Sequence, residues 1–153
     1  MLIIHMRIYN KKATRDYTVI ETYEAGIALH GAEVKAVRAG NMKLEGAHVR
    51  FIDNELFLVN SEVSIYKFAR PEDYNPTRTR KLLLHKGEIL RLRTKMKTAN
   101  NLTVIPIACY NKKSLLKLEI ALVKSKKNWE KKRVEQRKDE ERKIEKEMKE
   151  YRG

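Results

Sequence analysis

The sequence predicts a mainly β protein of 153 residues: an OB-type antiparallel β-barrel with short helices, followed by a basic C-terminal tail. Three observations predict it. Several short segments are dense in β-branched and aromatic residues, which suit pleated strands. Two pairs of these segments are joined by short polar linkers of hairpin type. After Val123 the apolar residues stop and charge takes over, dividing the chain into a barrel, 1–123, and a tail, 124–153. A chain of this length has room for one core, and short antiparallel strands in so small a domain manage their edges by closing on themselves.

The opening MLIIHM is apolar for only a few residues before Arg7. That is too short for a signal-peptide core, and Met6 is a second candidate start. YTVIETYEAGIAL (17–29) predicts a strand, broken or bulged near Gly26. GAEVKAVRAGN predicts one or two turns of helix between Gly31 and Gly40, with Val34 and Val37 on one face. HVRFI (48–52) and ELFLV (55–59) predict a hairpin across Asp53-Asn54. The stretch 68–79 is polar and holds Pro71 and Pro76. RKLLLHKGEILRLRTKMK then places Leu82, Leu83, Ile89, Leu90 and Met96 at near-helical spacing, predicting the longest internal helix. LTVIPIACY (102–110) and LLKLEIALV (115–123) predict a second hairpin across residues 111–114, with Pro106 at an edge or bulge because it cannot donate to a ladder. The tail carries 13 Lys and Arg against 8 Asp and Glu, interleaved at helical spacing. Its apolar residues, Trp129, Val134, Ile144, Met148 and Tyr151, are too few to form a docking stripe. Free in solution it is therefore expected to be frayed, marginally helical or disordered.

The chain carries 34 Lys and Arg against 20 Asp and Glu. A net charge of +14 seeks a polyanion, and nucleic acid is the leading partner; solubility alone is the plainer alternative. The single Cys109 can form neither an internal disulfide nor a thiolate cage, which fits a reducing cytoplasm and a small core residue. No membrane segment is present. The histidines His5, His30, His48 and His85 lack helical metal-site pairing, and neither a nucleophile elbow nor a phosphate loop occurs. No enzyme activity, metal or cofactor is expected. Glu21, Glu24 and Glu33 read as surface carboxylates rather than paired acids.

Two basic constellations stand out. NPTRTRKLLLH (75–85) presents Arg78, Arg80, Lys81 and His85 beside a leucine run, and arginine forks match phosphate oxygens in pairs. Cations at a helix start oppose the macrodipole, so an anionic partner would explain them. GAEVKAVRAGN adds Lys35 and Arg38, by themselves a common exposed pair. At these residues a resemblance becomes specific. NKKATRDYTVIETYEAGIALHGAEVKAVRAGN (10–41) resembles the opening block of the small protein B family, bacterial proteins that bind transfer-messenger RNA, and PTRTRKLLLH resembles the family's second signature. LTVIPIACY and EIALVKSKKNWEKKR resemble its last hairpin and the start of its tail, so the likeness spans roughly 10–150. The chain departs from the family pattern at Glu62, Ile65, Thr94, Asn101, Ser125 and Trp129.

The resemblance implies an OB-type barrel without catalytic activity; a monomer in the cytoplasm is expected. It would bind the tRNA-like domain of transfer-messenger RNA and deliver it to stalled ribosomes for trans-translation, tagging the nascent peptide and rescuing the ribosome. Carried over position by position, the RNA-binding candidates are Asn10, Glu24, Glu33, Lys35, Arg38, Arg78, Arg80, Lys81, Leu83 and His85. The acids would accept from base amino groups or ribose hydroxyls; for Glu24 an internal salt bridge at the barrel rim is an equal alternative. The family's tail lies in the empty messenger channel, where ribosomal RNA phosphates would order it. Its ribosome-binding candidates are Lys126, Lys127, Trp129, Lys131, Lys132 and Arg133, with Trp129 either stacking on a ribosomal base or capping the barrel. A general single-strand-binding OB module and a ribosome-bound structural protein are the other classes open to such a chain.

Overall fold

The computed structural model describes residues 6–68 and 70–152, apart from the side chains of 128, 129, 151 and 152. The elements in order are β1 (Arg7–Tyr9), α1 (Ala13–Asp16), β2 (Tyr17–Ile27), α2 (Gly31–Arg38), β3 (Met42–Lys43), β4 (His48–Ile52), β5 (Glu55–Val59), β6 (Glu62–Val63), β7 (Arg80–Leu83), α3 (Lys86–Lys97), β8 (Leu102–Lys112), β9 (Leu115–Ser125) and α4 (Asn128–Arg152). The fold is mainly antiparallel sheet with a few helices. Its main sheet runs β1-β8-β4-β5-β7-β2-β9, and β9 pairs again with β8, so the pairings form a cycle of six strands with β1 added outside it. β3 and β6 form a separate small ribbon.

The β4/β5 hairpin forms as expected. Asp53 and Asn54 both take left-handed backbone, with φ of 49° and 66°, the two-residue turn whose twist matches the flanking strands. Both residue types tolerate that conformation. The second hairpin is tighter than expected: Asn111 and Lys112 pair with Leu116 and Leu115 inside the ladder, leaving Lys113 and Ser114 as a two-residue turn with φ of 49° and 68°. Pro106 sits at a β8 bulge, where the register with β9 shifts between Pro106 and Ala108.

Two expectations are corrected. β2 is continuous through Gly26 and bulges instead at Ile20, between Val19 and Glu21. Gly26 serves close approach: it pairs with Leu83 on one side and Lys117 on the other, and a Cβ there would lie 3.3 Å from that of Leu83. The helix expected from residue 80 starts only at Lys86. Residues 80–83 form strand β7, in which Arg80 and Leu82 are buried while Lys81 and Leu83 are exposed, the period-two alternation of a half-buried strand.

The core is filled by Leu44, Leu56, Leu58, Leu82, Leu118, Ile120 and Leu122. Each such side chain contributes roughly 1.5–3 kcal/mol of burial. Cys109 is buried among them, and burial pushes its thiol up to about 12. Helix α2 packs through Ala36 and Val37, and α3 through Leu92. β9 continues two residues beyond Val123, pairing Lys124 with Thr18 and Ser125 with Tyr17. The start of α4 is tied to α1: the Lys126 amide donates to Asp16 O at 2.9 Å, Lys126 Nζ to Thr14 O at 2.7 Å, and Arg15 pairs with Glu135 at 3.3 Å. Among its described side chains none is buried.

Candidate nucleic-acid interface

The residues of the two basic blocks separate into a buried group and an exposed one. At the centre of the first is Glu33 on α2, which has no exposed surface. Its Oε1 accepts from the His30 amide at 3.0 Å and from Arg78 Nε at 3.1 Å, and Arg78 Nη2 also donates to it. Its Oε2 accepts from Arg80 Nη2 at 2.7 Å, Arg80 Nε at 3.0 Å and the Tyr74 hydroxyl at 3.0 Å. Burial alone would raise the Glu33 carboxyl, but hydrogen bonds from Arg78, His30 and Arg80 outweigh it and hold it down at about 2. Arg80, also fully buried, donates onward to Ser61 O at 2.9 Å and Pro76 O at 3.0 Å.

Glu33 and Arg80, both expected among the RNA-binding residues, have no exposed surface in this structure. A side chain without exposed surface offers no hydrogen bond outward; these two tie the 74–80 segment to α2. Arg78 stays a quarter exposed, so one edge of its guanidinium faces solvent. Asn10 is likewise mostly buried: its amide donates to Ile107 O at 2.8 Å and its Nδ2 to Pro106 O at 2.9 Å, fastening β1 over the β8 bulge.

The exposed group lies on the outer face of the sheet. Leu83 stands opposite Gly26, Gly26 opposite Lys117, Lys117 opposite Tyr110, and Tyr110 opposite Arg7. Directly opposed residues share a face, so one row crosses β7, β2, β9, β8 and β1. Lys81, Glu24 and Lys112 lie two residues along from this row on the same side. The Glu24 carboxylate accepts from the Tyr110 hydroxyl and from Lys112 Nζ at 3.1 Å, and it remains more than a third exposed. The Tyr110 hydrogen bond, then that of Lys112, lowers its pKa. Burial first, and Glu24 second, push Tyr110 up to about 12. The Arg7 guanidinium lies over the rings of Tyr9 and Tyr110, 5.2 and 5.0 Å from their centroids, and pairs with Glu119 at 3.5 Å. Leu83 is 54% exposed, and Lys81 reaches Glu55 at 3.1 Å.

Lys35 and Arg38 are exposed on α2, where Arg38 Nη2 donates to Ser114 O at 2.8 Å and links the helix to the β8/β9 turn. His85 is exposed as the residue capping α3. In the tail, Lys127, Lys132 and Arg133 are exposed and Lys126 and Lys131 half-buried; the side chain of Trp129 lies outside the described residues. Sequence reasoning missed Arg7, Tyr9, Tyr110, Lys112 and Lys117. The alternation around buried Cys109 and Leu118 was the signal that could have found Tyr110 and Lys117. Among the described residues no cluster of His, Cys, Asp and Glu could hold a metal ion, and no helix is long and apolar enough to cross a membrane.

A small, strongly basic, mainly β protein with cations and aromatic rings along one sheet face defines the class. The chain belongs to the SmpB protein family, whose model matches residues 7–150. It is 46% identical over 143 residues to the SsrA-binding protein of Pseudothermotoga lettingae, covering 93% of this chain and 96% of the relative. To the SsrA-binding protein of Rubrobacter xylanophilus it is 47% identical over 141 residues, covering 92% and 93%. Among solved structures it is similar to a chain of "tmRNA-SmpB: a journey to the center of the bacterial ribosome", at 41% identity and a TM-score of 0.66, covering 80% of this chain and 85% of that one.

Proposed function

We propose that the protein is a non-enzymatic adaptor of the bacterial cytoplasm that binds the tRNA-like domain of transfer-messenger RNA and carries it to stalled ribosomes for trans-translation. The observation that carries this reading is near-full-length similarity to SsrA-binding proteins, joined by likeness to a chain from a tmRNA-SmpB ribosome structure. The cyclic strand pairing supports an OB-type barrel as the body. Its outer face combines cations for phosphates, Leu83 and the Tyr9 and Tyr110 rings for bases and riboses, and Glu24 as an acceptor, a mixture suited to folded RNA read by shape and 2′-hydroxyls.

The tail is the second functional part. It begins after the strand end at Ser125, and its interleaved charges suit a channel walled by ribosomal RNA. Lys127, Lys131, Lys132 and Arg133 supply the cations at its start, with Lys126 anchoring it to the body. Purification of the protein from cell extract tests the reading: transfer-messenger RNA is enriched over other RNAs of similar size. Recovery of unstructured RNA without that preference would favour a general single-strand binder.

A further inference from the structure

The two most exposed large apolar side chains among the described residues are Phe68, at 82%, and Tyr66, at 69%. They lie outside both basic blocks, in the segment that follows β6. Their rings form a tilted pair with centroids 5.4 Å apart and planes at 59°. Hydrogen bonds hold the segment in place. The Ser64 amide donates to Asn41 O at 3.0 Å, fixing one end against the end of α2, and the Arg70 amide donates to Tyr66 O at 3.1 Å, closing the turn that presents the rings. Beside Tyr66 a slot of about 230 Å³ opens between this segment and α2. Its walls are the small side chains Ala32, Ala36 and Ala39 on one side and Ile65 and Tyr66 on the other, with Lys35 and Asn41 at its edges.

This arrangement has the three properties a stacking site for nucleic acid requires. The walls are apolar and include the Tyr66 ring, a partner for the π-face that every base presents. Asn41 supplies an amide that can pair with a base edge. Lys35 lines the slot from the helix, and the segment that carries the rings adds Lys67 and Arg70 with no acid in residues 64–70. A protein partner would find the same rings, but the cations of this region, Lys35, Lys67 and Arg70, favour a phosphate-bearing one.

We infer that the Tyr66–Phe68 pair and the adjoining slot hold an unpaired base of transfer-messenger RNA, stacked on the Tyr66 ring with the tilted Phe68 ring against its edge, while Lys35 and Lys67 meet its phosphates. The inference rests on the RNA-binding reading above and adds to it a contact outside the sheet face. The test measures the affinity of the full chain for a transcribed tRNA-like domain over a range of salt concentrations, and its affinity for vacant ribosomes. Tyr66→Ala with Phe68→Ala should weaken binding to the tRNA-like domain roughly five- to a hundred-fold. Stacking releases no counterions, so the slope against log salt should stay unchanged. Exchanging the rings, Tyr66→Phe with Phe68→Tyr, should restore affinity, and both variants should melt with the parent because the rings are exposed. Parental affinity in the double alanine variant would overturn the inference and leave the functional reading intact. A loss confined to ribosome binding would overturn it as well, assigning the rings to ribosomal RNA. If the parent itself does not prefer the tRNA-like domain to unstructured RNA, the functional reading falls and this inference with it.

Discussion

Glu33→Gln removes the charge shared by Arg78 and Arg80 while keeping the side chain's size, and leaves a buried guanidinium without its counter-ion. Loss of one partner from a buried ion pair costs about 3–5 kcal/mol, so thermal melts should show a large fall in stability. The parent's own pH dependence follows from the same carboxyl. Its folded value, about 2, lies below its ordinary 4.5. The stabilisation is therefore complete above about 4.5 and is lost as pH falls from there through 2. Melts between pH 5 and 2 should slope steeply in the parent and less in Glu33→Gln. Glu24 belongs to the opposite case. It is exposed and held by Tyr110 and Lys112 at the rim, so Glu24→Ala should shift the melting temperature no more than a surface substitution does while lowering RNA affinity. A large stability loss would leave it a rim salt bridge only. Both residues were visible in the sequence as acids, Glu33 inside a basic block and Glu24 in the strand before it, but their pairings were not. Glu33 lies 45 and 47 residues from the arginines it binds, and Glu24 lies 86 from Tyr110; no local spacing encodes pairs that only the folded sheet brings together.

Elements were legible where chemistry and period agreed. Asp53-Asn54 names its turn because both residues tolerate left-handed backbone, and Pro106 announces a bulge because it has no amide to give. β7 was misread because three consecutive leucines fit either period, and the alternation that decides for a strand is hidden by Arg80, a charged residue on the inner face. The β8/β9 turn was drawn too wide because Lys113 and Ser114 are poor residues for left-handed backbone. That mismatch gives a prediction at this scale. Lys113→Asn with Ser114→Gly fits the turn's own conformation and should stabilise the protein by about 1 kcal/mol, read as a rise in melting temperature. Arg38 still reaches the Ser114 carbonyl in such a variant, since the contact is to backbone.

At the scale of the whole molecule, body and tail are tied by few contacts, and no described side chain of α4 is buried. A chain ending at Lys127 keeps all of β9 and the Lys126 anchor, and it loses ten cations and eight acids. It should fold, bind the tRNA-like domain nearly as well as the full chain, and fail to support peptide tagging on stalled ribosomes. Normal tagging by the shortened chain would show the tail to be a solvated extension, and failure to fold would show that it belongs to the body.

The cycle of strands has no free end from which to unzip, yet its joints are unequal. β8 and β9 are registered along nearly their whole length, and so are β2 and β9, whereas β4 meets β8 at the single registered pair Val49 and Val104. Val49 and Val104 are themselves buried in the core, and a cavity of about 490 Å³ opens nearby between the α1 region and residues 46–48, Thr103 and Ile105, so side-chain packing rather than ladder hydrogen bonds holds this joint. A closed belt parts at its shortest buckle. Under native conditions the amide protons of β4 that face β8 should exchange with solvent ahead of those in the middle of β9, through an opening that leaves the β4/β5 hairpin and the long ladders standing, and the body would widen there without unfolding.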